Sequence, residues 1–155
     1  MRLIADSGST KVDWRAIHSD GSVQKITTAG INPFFQTEEQ IIYELEQHLL
    51  PDISATVTEI HFYGAGVASP EKIQVLQNCF RKVFPKSRAN AYTDLLAAAR
   101  ALCGRKPGIA AILGTVQTPV IMMVRILQTM FRRAVIFLVT RGVVQSLEES
   151  LSQII

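Results

Sequence analysis

The order of short apolar segments and turns is the sequence feature that most restricts the fold. Three strand-like segments, 2–6, 12–18 and 23–28, follow one another with only turns between them. Beyond residue 36, helix-like and strand-like segments alternate. Because strands joined by short turns pair antiparallel and strands joined through a helix pair parallel, this order predicts an α/β fold in which helices flank a mixed sheet.

Capping residues mark where the predicted helices begin. Thr37, with Gln40 three positions later, forms a capping box; Ser69 followed by Pro70 gives a second start, and Thr93 a third. The expected helix ends are Pro51, Phe84 and Cys103. The strands predicted between and after these helices are 59–63, 89–92 and 108–113.

Composition excludes several classes of protein. The apolar fraction of 48% and the charged fraction of 19% are typical of a folded globular chain. Basic residues form no run interleaved with aromatics, so we expect no nucleic-acid partner, and no apolar run reaches the ~18–20 residues of a membrane span. Cys79 and Cys103 lack metal-ligand spacing, and with no signal peptide they indicate reduced thiols in a cytoplasmic protein.

The residues after the first strand have the character of a phosphate-binding turn. Asp6 ends the strand, at the edge where ligands bind in open α/β sheets, and is suited to hold a magnesium ion. Gly8 allows close approach of the backbone, and Ser9, Thr10 and the Lys11 N–H can donate to phosphate oxygens. The alternative is a plain hairpin turn, in which Asp, Ser and Gly are common.

A second carboxylate follows a later strand. Asp94 begins a helix directly after the strand at 89–92, and it precedes a Gly-Thr pair at another strand end, Gly114 and Thr115. A carboxylate in this place can accept a proton from a substrate hydroxyl. The alternative is an acidic residue that only complements the helix dipole.

Taken together, these motifs resemble a known family. They are similar to those of the BadF/BadG/BcrA/BcrD-type ATPases, which include N-acetylglucosamine kinases and belong to the actin-like ATPase and sugar-kinase superfamily. The matching segments, in the family's order, are Asp6–Trp14, Gly30–Pro33, Tyr63–Gly66, Thr93–Ala101 and Ile109–Thr115. The resemblance covers 1–115 and implies a ribonuclease-H-like, actin-like N-terminal domain with a mixed five-stranded sheet.

The resemblance also implies cofactors, substrate and residue roles. ATP and Mg²⁺ would be the cofactors and an amino sugar the substrate, with Asp6 organising the magnesium ion and Asp94 acting as the base. The residues expected to contact ATP are Asp6, Gly8, Ser9, Thr10, Lys11, Gly114 and Thr115. Those expected on the sugar side are Asn32 and Gly64.

After Thr115 the sequence departs from the family, which continues its second phosphate motif with Gly-Ser-Asn-Ser or similar. Back-translated with one added base, 116–124 can read Gly-Ser-Asn-Ser-Cys-Tyr-Tyr-Asp-Gly. In the same shifted frame, 136–145 can read Tyr-Ile-Leu-Gly-Asp-Glu-Gly-Ser-Gly-Ala, a later family segment. We therefore expect a kinase domain over 1–115 and a frameshifted tail over 116–155; the alternative is an evolved apolar helix pair that docks on a partner or membrane surface.

The functional expectation is a truncated ATP-dependent sugar kinase, inactive in this form because the second half of the active site is missing. One alternative is a non-catalytic fragment that self-associates through its apolar tail; a homodimer is also considered. Another is an iron–sulfur ATPase activator of the BadF type, which is less favoured because neither Cys79 nor Cys103 lies in a bridging motif.

Overall fold

A computed structural model describes residues 1–103, 109–112, 124–125 and 136–139. The chain divides into two compact units, Met1–Asp94 and Leu95–Ile155, and each is considered by itself. In the part of the chain that is described, no helix has the length and apolarity needed to cross a membrane.

The first unit is built around a five-stranded mixed sheet. Its elements are β1 (Arg2–Ser7), β2 (Lys11–Ile17), β3 (Val23–Ala29), α1 (Glu38–Glu44), β4 (Glu59–Gly64), α2 (Pro70–Val83) and β5 (Arg88–Thr93). The strand order is β3-β2-β1-β4-β5. The hairpin-linked pairs β1–β2 and β2–β3 are antiparallel, and the pairs β1–β4 and β4–β5 are parallel. The predicted α/β fold with a mixed five-stranded sheet is confirmed.

The second unit contains a helix and a small sheet. Helix α3 (Asp94–Cys103) begins at the last residue of the first unit, and the strands are β6 (Ile109–Ile112), β7 (Val124–Arg125) and β8 (Ile136–Val139). Strand β6 lies between the other two, antiparallel to β7 and parallel to β8.

Two of the three predicted helix starts, at Thr37 and Ser69, are observed as capping interactions. Thr37 and Gln40 form the reciprocal capping box at the start of α1. The Ser69 side chain accepts the Lys72 N–H at the start of α2, with Pro70 as the first helical residue. Helix α1 is shorter than expected, because a π-helical turn (Leu45–Leu49) and a 3-10 turn (Leu50–Asp52) replace its last part.

One face of the sheet packs against α1 and α2 through an aromatic cluster. The Phe80 ring lies 5.5 Å from that of Phe62 and 6.3 Å, edge-on, from that of Trp14. The Trp14 indole N–H donates to Thr28 Oγ1 at 3.0 Å, so its polar atom is satisfied inside the core. Val12 and Ala16 share this buried face, so buried and less buried residues alternate along β2.

The end of the edge strand β3 is tied to the helical layer by one side chain. The Ala29 N–H donates to Glu44 Oε1 at 2.9 Å, and His48 Nδ1 lies 3.0 Å from the other oxygen of the same carboxylate. Glu44 ends α1 and His48 lies in the π-helical turn that follows, so one carboxylate links the end of β3 to both helical segments.

Candidate functional site

The carboxyl ends of three parallel strands meet at one edge of the sheet. In the observed register, Ser7 of β1 pairs with Gly64 of β4, and Gly64 pairs with Thr93 of β5. Asp6 therefore stands one residue before this edge, and Asp94 one residue beyond it. The two predicted carboxylates are therefore brought to the same region. It lies at the edge where ligands bind in open α/β sheets.

The turn after β1 is a tight, exposed hairpin. The Gly8 N–H donates to the Lys11 carbonyl at 2.9 Å, and residues 8–11 are exposed to solvent. Gly30 braces this turn from the end of β3: its N–H donates to the Thr10 carbonyl at 3.1 Å. A Cβ at Gly30 would lie 2.7 Å from the Ser9 carbonyl oxygen, so only glycine fits there. The hairpin alternative is thus right about the geometry, and it leaves the turn accessible to a phosphate.

Asp6 lies in a concentration of negative charge. Burial raises the pKa of its carboxyl above the ordinary value, and the nearby carboxylates of Asp13 and Asp94 raise it further. Lys11 and Arg15 oppose this effect and lower the pKa of Asp6. A half-buried carboxyl beside two others is costly to ionise, and a bound cation would offset that cost.

Asp6 and its neighbours fit a magnesium ion only if other ligands complete the coordination. In residues 1–103 and the three described strand segments beyond, no group of three His, Cys, Asp or Glu side chains is placed to hold a metal. Magnesium usually takes one or two carboxylates, completed by waters and substrate phosphates. Asp6 at the mouth of the turn suits that arrangement, in which the nucleotide brings part of the coordination shell.

Asp94 is the first residue of α3, where a carboxylate is favoured by the helix dipole. Its charge nevertheless reaches Asp6, since it contributes to the raised pKa of that carboxyl. The position of Asp94 is therefore compatible with both interpretations from the sequence, a general base and a residue that complements the helix dipole. The base role of Asp94 and the phosphate contacts of the turn stay predictions.

Asn32 shapes a rigid loop between β3 and α1. Its side-chain oxygen accepts the Phe34 N–H at 2.9 Å, and its own N–H donates to Gln36 Oε1 at 2.7 Å. Lys72 ties the loop to α2, because its ammonium donates to the Pro33 carbonyl at 2.7 Å and lies 5.1 Å from the centre of the Phe34 ring. Phe35, in the same loop, is 86% exposed.

Comparison with solved structures identifies a similar protein. A provisionally named N-acetylglucosamine kinase from Porphyromonas gingivalis shares 42% sequence identity with the chain, with a TM-score of 0.68. The resemblance to the N-acetylglucosamine kinase-like family is confirmed. The match covers 74% of this chain and 42% of the other, so the chain spans about two fifths of that kinase-like protein. No protein-family model and no curated protein matches the chain.

The other residues expected to contact the sugar or ATP fall into two groups, those that the structure describes and those that lie outside the described residues. Gly64 is required by packing, because a Cβ there would lie 2.8 Å from the Phe62 ring and 3.2 Å from Ser7 Cβ. Its expected sugar contact stays a prediction, as does that of Asn32. Gly114 and Thr115, the expected start of the second phosphate motif, lie outside the described residues.

Two charged residues beside Asp6 were not predicted to belong to the candidate site. Asp13 and Arg15 stand on the same face of the sheet as Asp6, with Asp13 its direct partner across the β1–β2 pair. The signal was the alternation of charged residues from Lys11 to Arg15 along β2. Because side chains two residues apart on a strand share a face, Lys11, Asp13 and Arg15 all lie on the face of the sheet opposite the aromatic core.

Proposed function

We propose that this chain carries the nucleotide-phosphate turn and the catalytic base of an ATP-dependent sugar kinase of the N-acetylglucosamine kinase type. The observation that carries the proposal is the meeting of Asp6, the exposed turn and Asp94 at one edge of the sheet. Similarity to the Porphyromonas gingivalis protein supports the choice of an amino sugar as the acceptor.

In the proposed reaction, the chain's residues position two reactants. The hydroxyls of Ser9 and Thr10 and the Lys11 N–H would donate to the phosphate end of ATP, Gly8 would allow its close approach to the backbone, and Asp6 would hold magnesium. The ion, when bound, neutralises charge on the phosphates. The oxygen of the sugar hydroxyl bonds to the γ-phosphorus while the bond from that phosphorus to the ADP oxygen breaks. Asp94 accepts the proton that the hydroxyl loses. Catalysis of this kind rests on positioning and electrostatic stabilisation.

The experiment that tests this proposal is a calorimetric titration of the chain with ATP, with and without magnesium. We expect saturable binding that depends on magnesium and is weakened about tenfold or more by Asp6→Asn, because losing even an outer-shell partner of a metal ligand costs ~10–100-fold in metal affinity and a lost ligand should cost no less. Light scattering on the same samples measures self-association. A folded, monodisperse chain that binds no ATP would contradict the proposal.

The same variant is expected to be more stable than the wild-type chain at neutral pH. The folded-state pKa of Asp6 is raised, so ionisation disfavours folding, and asparagine removes that charge. The gain in melting temperature should be present at pH 7 and should shrink as pH falls through the pKa of Asp6, where the wild-type carboxyl is protonated. Thermal melts across that pH range measure it, and a loss of stability at pH 7 would contradict the assignment.

We also propose that the kinase domain spans 1–115 and that the tail over 116–155 results from a base lost after the Thr115 codon. Without the rest of the second phosphate motif, this form would show no turnover. Resequencing the coding DNA tests the idea: one restored base should open a frame that encodes Gly-Ser-Asn-Ser and, later, Gly-Asp-Glu-Gly-Ser-Gly. A stop codon soon after that point, or unrelated residues, would refute it.

A further inference from the structure

Asp13 occupies a position that is electrostatically unfavourable by itself. It lies directly opposite Asp6 in the antiparallel β1–β2 pair, with both side chains on one face of the sheet. Like charges directly opposite each other on neighbouring strands are destabilising. Asp13 also stands close to a turn assigned to an anionic ligand, which it would repel. A carboxylate in this place calls for a compensating interaction.

That interaction is with Lys11. The Lys11 ammonium lies 2.7 Å from Asp13 Oδ2, while Thr27 Oγ1 of the edge strand donates to Asp13 Oδ1 at 3.3 Å. The Lys11 side chain is 60% exposed and that of Asp13 only 28%. A long, mostly solvated side chain is therefore held at its tip by a carboxylate that is itself anchored to the next strand.

The geometry points to Asp13 as a positioning residue that keeps the Lys11 ammonium on the Asp6 face of the sheet, at the place where a nucleotide phosphate would enter. Residues two apart on a strand share a face, so Lys11, Asp13 and the cross-strand partner Asp6 lie together. A cation ordered before the ligand arrives loses less conformational freedom on binding. This inference rests on the proposed nucleotide site and adds a residue to it.

A purely electrostatic role and a positioning role of Asp13 predict opposite changes in ATP affinity for the same substitution. Asp13→Asn keeps an acceptor for Thr27 and removes a negative charge near the phosphate turn. If charge alone matters, ATP should bind more tightly. If Asp13 positions Lys11, ATP should bind about three- to tenfold more weakly, because the ammonium is no longer held in place.

The test is a double-mutant cycle with Lys11→Met, read as the dissociation constant of magnesium-ATP by calorimetry. Asp13→Asn should weaken binding in the wild-type background and should no longer weaken it once Lys11 is replaced. The matched control is Asp20→Asn, which removes the same charge from the far turn of the neighbouring hairpin, where Asp20 contacts only Ser22 among the hydrogen bonds described. Tighter binding by Asp13→Asn, or equal weakening in both backgrounds, would overturn the inference.

A second readout does not need ATP. Amine acylation followed by peptide mass spectrometry measures how strongly each lysine is held, since only a released, neutral amine attacks the reagent. The Lys11 rate should rise roughly two- to fivefold in Asp13→Asn, relative to Lys25 and Lys86 in the same sample. An unchanged Lys11 rate would overturn the positioning role. If the wild-type chain bound no ATP, the proposed function would fail while this rate still decided whether Asp13 holds Lys11.

Discussion

Replacing Asp94 with asparagine in a frame-restored protein is expected to lower sugar-dependent ATP turnover about 10²–10⁴-fold, the usual contribution of a general base. Asparagine keeps the size of the side chain and is tolerated near helix starts, so the melting temperature should change little. ATP affinity should hold or improve slightly, because Asp94 raises the pKa of Asp6 and its removal makes that carboxyl easier to ionise.

Steady-state kinetics with a coupled ADP assay, together with thermal melts, separate the two interpretations of Asp94. The base role requires a loss in kcat with the fold intact. Near-normal turnover with a lower melting temperature would show that Asp94 only complements the dipole of α3, and the catalytic assignment would then be wrong. Asp94→Glu serves as the matched variant, because it keeps the charge at the helix start but displaces the proton acceptor.

Gly30→Ala is expected to be the most disruptive single substitution near the turn that joins β1 and β2. An added Cβ would lie 2.7 Å from the Ser9 carbonyl oxygen and 2.9 Å from that of Gly8, and backbone atoms cannot yield as a flexible side chain can. The turn must shift, at a cost of about 1–3 kcal/mol, which is several degrees in melting temperature for a domain of this size. ATP binding should fall with it.

The matched control for this prediction is Gly8→Ala, judged by thermal stability alone. A Cβ at Gly8 would lie 3.6 Å from the Lys11 carbonyl oxygen, an ordinary contact, so the melting temperature should fall less than in Gly30→Ala. Differential scanning calorimetry of both variants measures the difference. An equal or larger loss in Gly8→Ala would show that Gly30 does not brace the turn.

Much of the fold could be predicted because its signals are local. The capping box at Thr37, the Ser69–Pro70 helix start and the short turns between the first three strands each depend on neighbouring residues. Short turns force antiparallel pairs and helical crossovers allow parallel ones, so the mixed sheet followed from element order. The early end of α1 could not be predicted, because the apolar spacing of Ile41, Leu45 and Leu49 continues through the π-helical turn.

The candidate site could be predicted only in part, because some of its residues are brought together by contacts between distant parts of the chain. Asp6 and Asp94 could be found because each follows a recognisable strand end. The bracing of the turn by Gly30 joins residues about twenty positions apart and has no local pattern. Asp13 lies in the segment Asp6–Trp14 that resembles the family, but the sequence assigns it no role, because its importance lies in what faces it across the β1–β2 pair and not in its neighbours along the chain.

The contact between Glu44 and Ala29 also bears on how molecules of this chain avoid one another. Strand β3 is the outer strand of the five-stranded sheet, and an outer strand offers unpaired N–H groups to strands of other molecules. Because Glu44 accepts the Ala29 N–H, the final donor of this strand is occupied by the protein's own side chain. An incoming strand would have to displace a carboxylate that also contacts His48. Glu44, the last residue of α1, therefore protects the end of this outer strand from intermolecular β-pairing.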